Sequence, residues 1–175
     1  MQFQSLEQKL FMPSLLVKTL LFIALVLPTV CHAVSVGEPA PFLALKDVKN
    51  KLHKLKDFEN NVVFINFWAS WCSPCRKELP LLDELQARYK DLVVLAINID
   101  EDKEIAEQFM QQYHIQSLVL FDSKIEVVSQ YEAIAMPTSF ILDQEGIVRF
   151  LHYGFNLKTD PAMWDREVSR LLVKK

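Results

Sequence analysis

Cysteine is scarce in this chain of 175 residues, and that scarcity narrows its chemistry. Cys31 lies in an apolar N-terminal stretch, and Cys72 and Cys75 form a C-x-x-C in "NFWASWCSPCRKELP", residues 66–80. A structural zinc site needs four ligands, usually two such pairs, and the sequence has no second C-x-x-C. The histidines of the rest of the chain are isolated in sequence, at His53, His114 and His152. We therefore expect no metal.

The cysteine pair is also poorly suited to a structural role. A disulfide between Cys72 and Cys75 closes only four residues, so it constrains the unfolded chain weakly. An exported domain of this length can bury a core of its own and does not need a disulfide to fold. The pattern favours a redox-active disulfide, a pair that is made and broken.

The sequence lacks an excess of basic residues, and it also lacks repeats, low-complexity tracts and linkers. Lysine and arginine number 19 against 22 aspartates and glutamates, a formal net charge of −3. Nucleic-acid binding calls for a basic face, so we expect no nucleic-acid partner. We expect a single domain that acts as a monomer without a cofactor.

The N-terminus has the pattern of a secretory signal. Lys9 and Lys18 precede the apolar run 19–30, and "CHA" ends at Ala33. This arrangement predicts cleavage after Ala33, with residues 1–33 as signal peptide and 34–175 as the folded domain. An uncleaved anchor is a second interpretation, and lipidation of Cys31 a third. The predicted location is the periplasm or the extracytoplasmic face of the inner membrane.

Apolar patterning predicts an α/β domain around a mixed sheet flanked by helices. Short extended segments are predicted near 42–45 and 51–55, buried strands at 62–68, 92–100 and 117–122, and helices at 73–89, 101–114 and 124–132. Residues 138–143 and 147–153 flank the turn "QEG" and predict an antiparallel hairpin. Asp160 is predicted to cap a last helix that has Pro161 at its first position.

The C-x-x-C sits where a buried strand meets a helix, and this position predicts its chemistry. Unsatisfied amides and the helix dipole favour a thiolate at Cys72, near the helix N-terminus. Cys75 lies one turn further in, which suits a resolving thiol. Pro74 stiffens the turn. Trp68 and Trp71 are predicted to form a flat apolar rim where another protein docks.

Two further features have both an ordinary and a functional interpretation. Glu78 lies three residues beyond Cys75 on the same helix face, so it is either a solvated surface glutamate or a proton relay for Cys75. Met136, Pro137 and Thr138 precede an apolar strand. Pro137 is either an ordinary strand-entry proline or a cis-proline beside the dithiol, and we predict cis.

The segments "VVFINFWASWCSPCRKELPLL" and "AMPTSFILDQEG" resemble the thioredoxin superfamily, and more narrowly its exported TlpA/ResA-like thiol–disulfide oxidoreductases. "VGEPAPFLALKD" is similar to that group's N-terminal extension, which overlaps the AhpC/TSA peroxiredoxin profile. The stretch 101–122 matches its central helix–strand insertion. The resemblance covers about residues 36–173 and implies a thioredoxin-like fold.

Carried onto this chain, the resemblance implies a role for each site residue. Cys72 becomes the attacking thiol and Cys75 the resolving thiol. Pro137 becomes the cis-proline that lies against the disulfide and pairs with the substrate backbone. Trp71, Pro74, Met136 and Thr138 are the other substrate-binding residues. The resemblance also favours Glu78 as an acid–base residue. Asn66 stands where thioredoxins carry a buried aspartate, so proton handling falls to Glu78.

Three functions of different classes compete at this point. The first is a reductase of protein disulfides in the envelope, serving cytochrome c maturation or redox homeostasis, and recharged by a membrane electron donor of the DsbD/CcdA type. The second is a peroxiredoxin-like peroxidase, but Ala69 stands three residues before Cys72, where such an enzyme needs threonine or serine. The third is a non-catalytic binding module, which leaves the dithiol without a purpose.

Overall fold

One interior strand of the sheet, Val62–Trp68, is a run of seven buried residues. The computed structural model describes residues 34–173, so the predicted signal, anchor and lipidation site at 1–33 lie outside the described residues. The strands are β1 (Ala44–Asp47), β2 (Leu52–Lys54), β3 (Val62–Trp68), β4 (Leu92–Asn98), β5 (Leu118–Phe121), β6 (Thr138–Leu142) and β7 (Val148–Tyr153). The helices are a 3-10 turn (Leu55–Phe58), α1 (Cys75–Arg88), α2 (Lys103–Tyr113), α3 (Glu126–Gln130) and α4 (Asp160–Leu172).

The seven strands form one mixed sheet in the order β2-β1-β5-β4-β3-β6-β7. β3, β4 and β5 run parallel, because α1 and α2 supply the crossover connections. β6 and β7 add an antiparallel hairpin on one side, and β1 and β2 add another on the other side. The predicted α/β class and mixed sheet are confirmed.

Two apolar layers cover the sheet, as the continuous hydrophobic run of β3 requires. Helices α1, α2 and α4 cover the face that carries Phe64 and Trp68. Helix α3 and the segment around Leu43 cover the face that carries Ile65 and Phe67. Side chains alternate along β3, so every second residue points at the α1 and α4 side. Within residues 34–173, no helix is both long and apolar enough to cross a membrane.

Two helix starts differ from the sequence prediction. Helix α1 begins at Cys75, with Pro74 as its N-cap residue, and not at residue 73. Cys72 therefore lies in the turn before the helix. Helix α4 begins at Asp160, so the cap position belongs to Thr159 and not to Asp160. Asp160 instead accepts a hydrogen bond from Asn156 N–H at 2.7 Å, which fixes the preceding turn.

Candidate active site

The dithiol lies at the carboxyl end of β3, in the turn that leads into α1. Cys72 and Cys75 form a disulfide, with their Cα atoms 5.4 Å apart. The backbone N–H of Cys75 also donates to Cys72 Sγ, at 3.3 Å. An amide at a helix N-terminus that points at a sulfur favours the thiolate form of that sulfur. The local backbone is thus arranged to stabilise negative charge on Cys72.

The two sulfur-bearing residues differ little in exposure while the disulfide is intact. Cys72 is 3% exposed and Cys75 is fully buried. Cys72 is therefore only slightly more accessible than Cys75 in the oxidised protein.

A carboxylate at the end of β4 anchors the dithiol turn. Asp100 accepts hydrogen bonds from Ser70 N–H at 2.9 Å and from the Ser70 hydroxyl at 3.0 Å. Asn98 Nδ2 also donates to Asp100, at 2.8 Å. The sequence analysis missed this anchor. The available signal was the polar end of the strand predicted at 92–100, where Asn98 and Asp100 stand, because the carboxyl ends of adjacent parallel strands meet at one edge.

Glu78 lies one helical turn beyond Cys75 on α1 and is buried, so its interpretation as a solvated surface residue is wrong. It is 0% exposed, and Ser139 Oγ donates to Glu78 Oε1 at 3.4 Å. Burial raises the pKa of Glu78 to about 8, because the charged carboxylate is poorly solvated there. The negative charge of Asp160 also raises this pKa, whereas hydrogen bonds from Asn66 and Ser139 lower it by less than burial raises it. A carboxyl group with such a pKa can take up and release a proton near neutral pH.

Pro137 follows a cis peptide bond, as the sequence predicts. In the antiparallel register of β3 and β6, Thr138 pairs with Phe67, next to the end of β3 from which the dithiol turn departs. The Pro137 carbonyl accepts a hydrogen bond from Gly154 N–H at 2.8 Å. This contact joins the cis-proline loop to the turn after β7.

Thr138 does not present its side chain to a substrate. It is fully buried, and its hydroxyl donates to Ala135 O at 2.6 Å. Its place at the start of β6 explains the difference, because the pleat turns this side chain inward. Met136 is half-buried and Pro74 is exposed, so these two remain available at the surface.

The two tryptophans differ in exposure, and only one of them belongs to a surface rim. Trp71 is 65% exposed, whereas Trp68 is fully buried. Trp68 is the last residue of β3 and shares the inward-pointing face with Phe64, so it packs against Phe109 of α2 with ring centroids 4.9 Å apart. The prediction for Trp68 was wrong because the alternation of β3 continues to its end.

Two histidines that are isolated in sequence are paired with carboxylates in space. His53 Nε2 lies 2.9 Å from Asp47 Oδ2, and His152 Nε2 lies 2.8 Å from Glu167 Oε2. Neither pair belongs to a group of three or more metal-ligating side chains within residues 34–173. Sequence spacing gives no signal for either pair, since the partners meet through tertiary structure.

The chain is similar in sequence and in fold to known proteins. The model of the AhpC/TSA family matches residues 36–151. The thiol-disulfide oxidoreductase ResA of Geobacillus kaustophilus is 35% identical over 130 residues, covering 73% of this chain and 75% of that protein. The thioredoxin-like protein YneN of Bacillus subtilis is 34% identical over 128 residues, covering 71% and 75%. A crystal structure from Chlorobium tepidum, assigned as a thiol:disulfide interchange protein DsbE, has a TM-score of 0.75 at 35% identity, covering 79% of this chain and 99% of that one.

Proposed function

Because the chain belongs to the AhpC/TSA family and is a ResA-like thiol–disulfide oxidoreductase, we propose that it is an exported reductase of protein disulfides. The observation that carries this proposal is the disulfide at the start of α1, with the buried carboxyl group of Glu78 one helical turn further along the same helix. The reduced dithiol supplies two electrons as it is oxidised to the disulfide, and a carboxyl group on the same helix can handle the accompanying proton.

In this proposal the two cysteines have different tasks. Cys72 attacks the substrate disulfide, since it is the more accessible sulfur and receives the Cys75 N–H hydrogen bond. Cys75 then attacks Cys72 Sγ and releases the reduced substrate. Glu78 accepts the proton of the Cys75 thiol as that attack begins. Its carboxyl atom Oε2 has no hydrogen-bond partner among the described residues, which leaves it available for this proton.

We assign substrate binding to the surface around the dithiol. Trp71 and Pro74 are exposed on the dithiol side, and Met136 is half-buried on the cis-proline side. Pro137 has no N–H, and its carbonyl already accepts from Gly154. Contacts to the substrate backbone are therefore assigned to Met136, with Pro137 as the residue that shapes the loop.

An activity test separates the proposed reductase from its competitors. With a dithiol donor in excess, the protein is expected to accelerate insulin disulfide reduction and to consume little hydrogen peroxide. Ala69 is fully buried and has no hydroxyl to assist a peroxide at Cys72. Peroxide consumption without insulin reduction would instead support a peroxidase, and neither activity would support a binding module. Cys72→Ala is the matched control, since it removes the attacking sulfur from either reaction.

The proposed location rests on residues 1–33. Their basic start, apolar run and small final residues support export and cleavage after Ala33. We expect this segment, fused to a reporter that is active only outside the cytoplasm, to suffice for reporter activity. A mature protein that begins at Met1 and stays with the membrane would contradict cleavage and support an anchor.

The proposed direction of electron flow is from a membrane donor to an exported disulfide. The C-x-x-C of this superfamily spans potentials from about −270 to −120 mV, so the motif alone allows either direction. The resemblance to the exported TlpA/ResA-like group favours a reductant. We propose a dithiol donor of the DsbD/CcdA type, with oxidised protein thiols, including those of cytochrome c maturation, as substrates.

A further inference from the structure

The turn that carries the dithiol also presents an exposed tryptophan. Trp71 is 65% exposed, whereas its neighbours Ala69 and Cys72 are 0% and 3% exposed. The Cys72 N–H donates to the Ala69 carbonyl at 3.1 Å, which closes a β-turn. Ser70 and Trp71 are the two central residues of this turn. The turn therefore holds a large apolar side chain out in solvent, one residue before Cys72.

Asp100 fixes the first central residue of this turn with two hydrogen bonds. Its Oδ2 accepts from the Ser70 N–H at 2.9 Å, and its Oδ1 accepts from the Ser70 hydroxyl at 3.0 Å. Both oxygens of the carboxylate thus hold the same residue. Hydrogen bonds to a carboxylate are roughly twice as strong as those between neutral groups. Two such bonds fix the position of Ser70 and also its orientation.

Asp100 is itself held by the end of the sheet. Asn98 is the last residue of β4 and fully buried, and its Nδ2 donates to Asp100 at 2.8 Å. In return, the Asp100 N–H donates to Asn98 Oδ1 at 3.1 Å. The Ile99 N–H between them donates to the carbonyl of Trp68, the last residue of β3, at 3.1 Å. The anchor of the turn is therefore built onto the sheet.

We propose that Asp100 is a positioning residue, which acts through Ser70 to keep Trp71 in place for the docking of protein substrates. The inference rests on the reductase function proposed above and on the assignment of Trp71 to substrate binding. Among the described residues, Asp100 exchanges hydrogen bonds with Ser70 and Asn98 and with neither cysteine sulfur. It affects the reaction only through the turn.

Preorganisation is the physical reason for such an anchor. A side chain and a backbone segment that become ordered only on docking weaken binding, because their lost freedom opposes association. A turn that is already fixed in the free protein avoids this cost. Tryptophan is among the residues that contribute most to protein–protein binding, so its placement affects affinity measurably. A small disulfide that reaches Cys72 without covering Trp71 gains nothing from the anchor.

The chain offers a matched control at the other end of the parallel strands. Asp83 of α1 accepts hydrogen bonds from the Ser117 N–H at 2.8 Å and from the Ser117 hydroxyl, so it also holds both donors of one serine. Ser117 precedes β5 and Ser70 follows β3, and both strands run parallel to β4. The two serines therefore lie at opposite ends of the sheet. Loss of either anchor loosens the protein, but only loss of Asp100 affects docking.

The test compares a protein disulfide with a small one in full-length Asp100→Asn, Ser70→Ala and Asp83→Asn proteins. Asparagine keeps the shape of aspartate but has one acceptor oxygen fewer. We expect Asp100→Asn to raise KM for insulin reduction by about 10-fold while kcat changes by less than about two-fold, because binding is lost and the chemistry is kept. The rate of the pre-reduced variant with hydroxyethyl disulfide should match that of the unmodified protein. Ser70→Ala, which keeps the N–H bond, should raise KM less, and Asp83→Asn should not raise it.

Two further measurements show whether Asp100 acts through Trp71. In a Trp71→Ala background, Asp100→Asn should raise KM for insulin by less than about two-fold, because the side chain that it positions is gone. NMR relaxation of the Trp71 indole N–H reports its mobility without any substrate. This mobility should increase in Asp100→Asn, while the indoles of the buried Trp68 and Trp164 serve as internal references.

Every other outcome overturns the proposal. If the unmodified protein does not reduce insulin, the proposed function fails and this inference fails with it. If it does, and Asp100→Asn matches it on both substrates, the inference alone fails. Equal losses with insulin and hydroxyethyl disulfide would show that Asp100 positions Cys72 and not the docking surface. An equal rise of KM in Asp83→Asn, or a full rise in the Trp71→Ala background, would show general loosening. If Asp100→Asn does not fold, an unchanged KM and indole mobility in Ser70→Ala would overturn the proposal.

Discussion

The Cys75→Ala variant is expected to lose turnover by about 10³-fold or more and to remain covalently joined to its substrates through Cys72. Cys72 is the accessible sulfur, and it keeps the Cys75 N–H as a hydrogen-bond donor, because alanine retains the backbone amide. The first attack therefore proceeds. Without the Cys75 sulfur, no thiol in the site can release the substrate, and mixed disulfides accumulate. Non-reducing electrophoresis after incubation with a disulfide-bonded protein measures this product.

The Cys72→Ala variant is the control for this trapping experiment. Its remaining thiol, Cys75, is fully buried and lies behind the turn, so few or no mixed disulfides should form. Bands that form with Cys75→Ala should disappear on adding a reductant. Efficient trapping by Cys72→Ala, with none by Cys75→Ala, would reverse the two assignments.

Glu78→Gln is expected to make the oxidised protein more stable at high pH, with little effect at low pH. The pKa of Glu78 rises from 4.5 to about 8 on burial. Between these values the folded protein holds a proton that the unfolded chain has lost, so the free energy of unfolding falls as pH rises and levels off above about pH 8. The full shift corresponds to about 5 kcal/mol at most, at about 1.4 kcal/mol per pKa unit. A neutral amide in the same place avoids this loss.

Urea unfolding of the oxidised proteins at pH 4 and pH 9 measures the effect, because the disulfide removes cysteine titration. The quantity to compare is the difference in free energy of unfolding between the variant and the unmodified protein. The contributions of the other titrating groups cancel in this difference. Glu84→Gln is the control, since Glu84 is an exposed glutamate on the same helix. An equal pH dependence in the Glu78 and Glu84 variants would show that Glu78 ionises freely in the folded protein.

The sequence predicted best what depends on local pattern. The apolar run 62–68 gave the bounds of β3, and the hairpin of β6 and β7 followed from two apolar runs around a turn. The C-x-x-C predicted the disulfide site. The predicted helix starts were less accurate. The sequence pattern does not tell whether a residue near the start is the N-cap or already lies in the first turn, so a boundary can shift by one or two residues.

Contacts between distant segments were beyond the sequence. Ser139 meets Asn66 across 73 positions, and this contact depends on the register between β3 and β6. One residue of slip in either strand would turn Ser139 to the other face of the sheet. The burial of Trp68 and the pairing of His152 with Glu167 depend on tertiary packing in the same way. Periodicity predicts which residues are covered but not which partners they meet.

The difference in exposure between the two cysteines restricts how the reductase proposed above would meet its partners. Cys72 is 3% exposed and Cys75 is fully buried. In that proposal, the protein that delivers electrons and the protein that receives them both react at Cys72, so they occupy the same face in turn. Each partner then excludes the other, which is the basis of ping-pong kinetics with mutual competition.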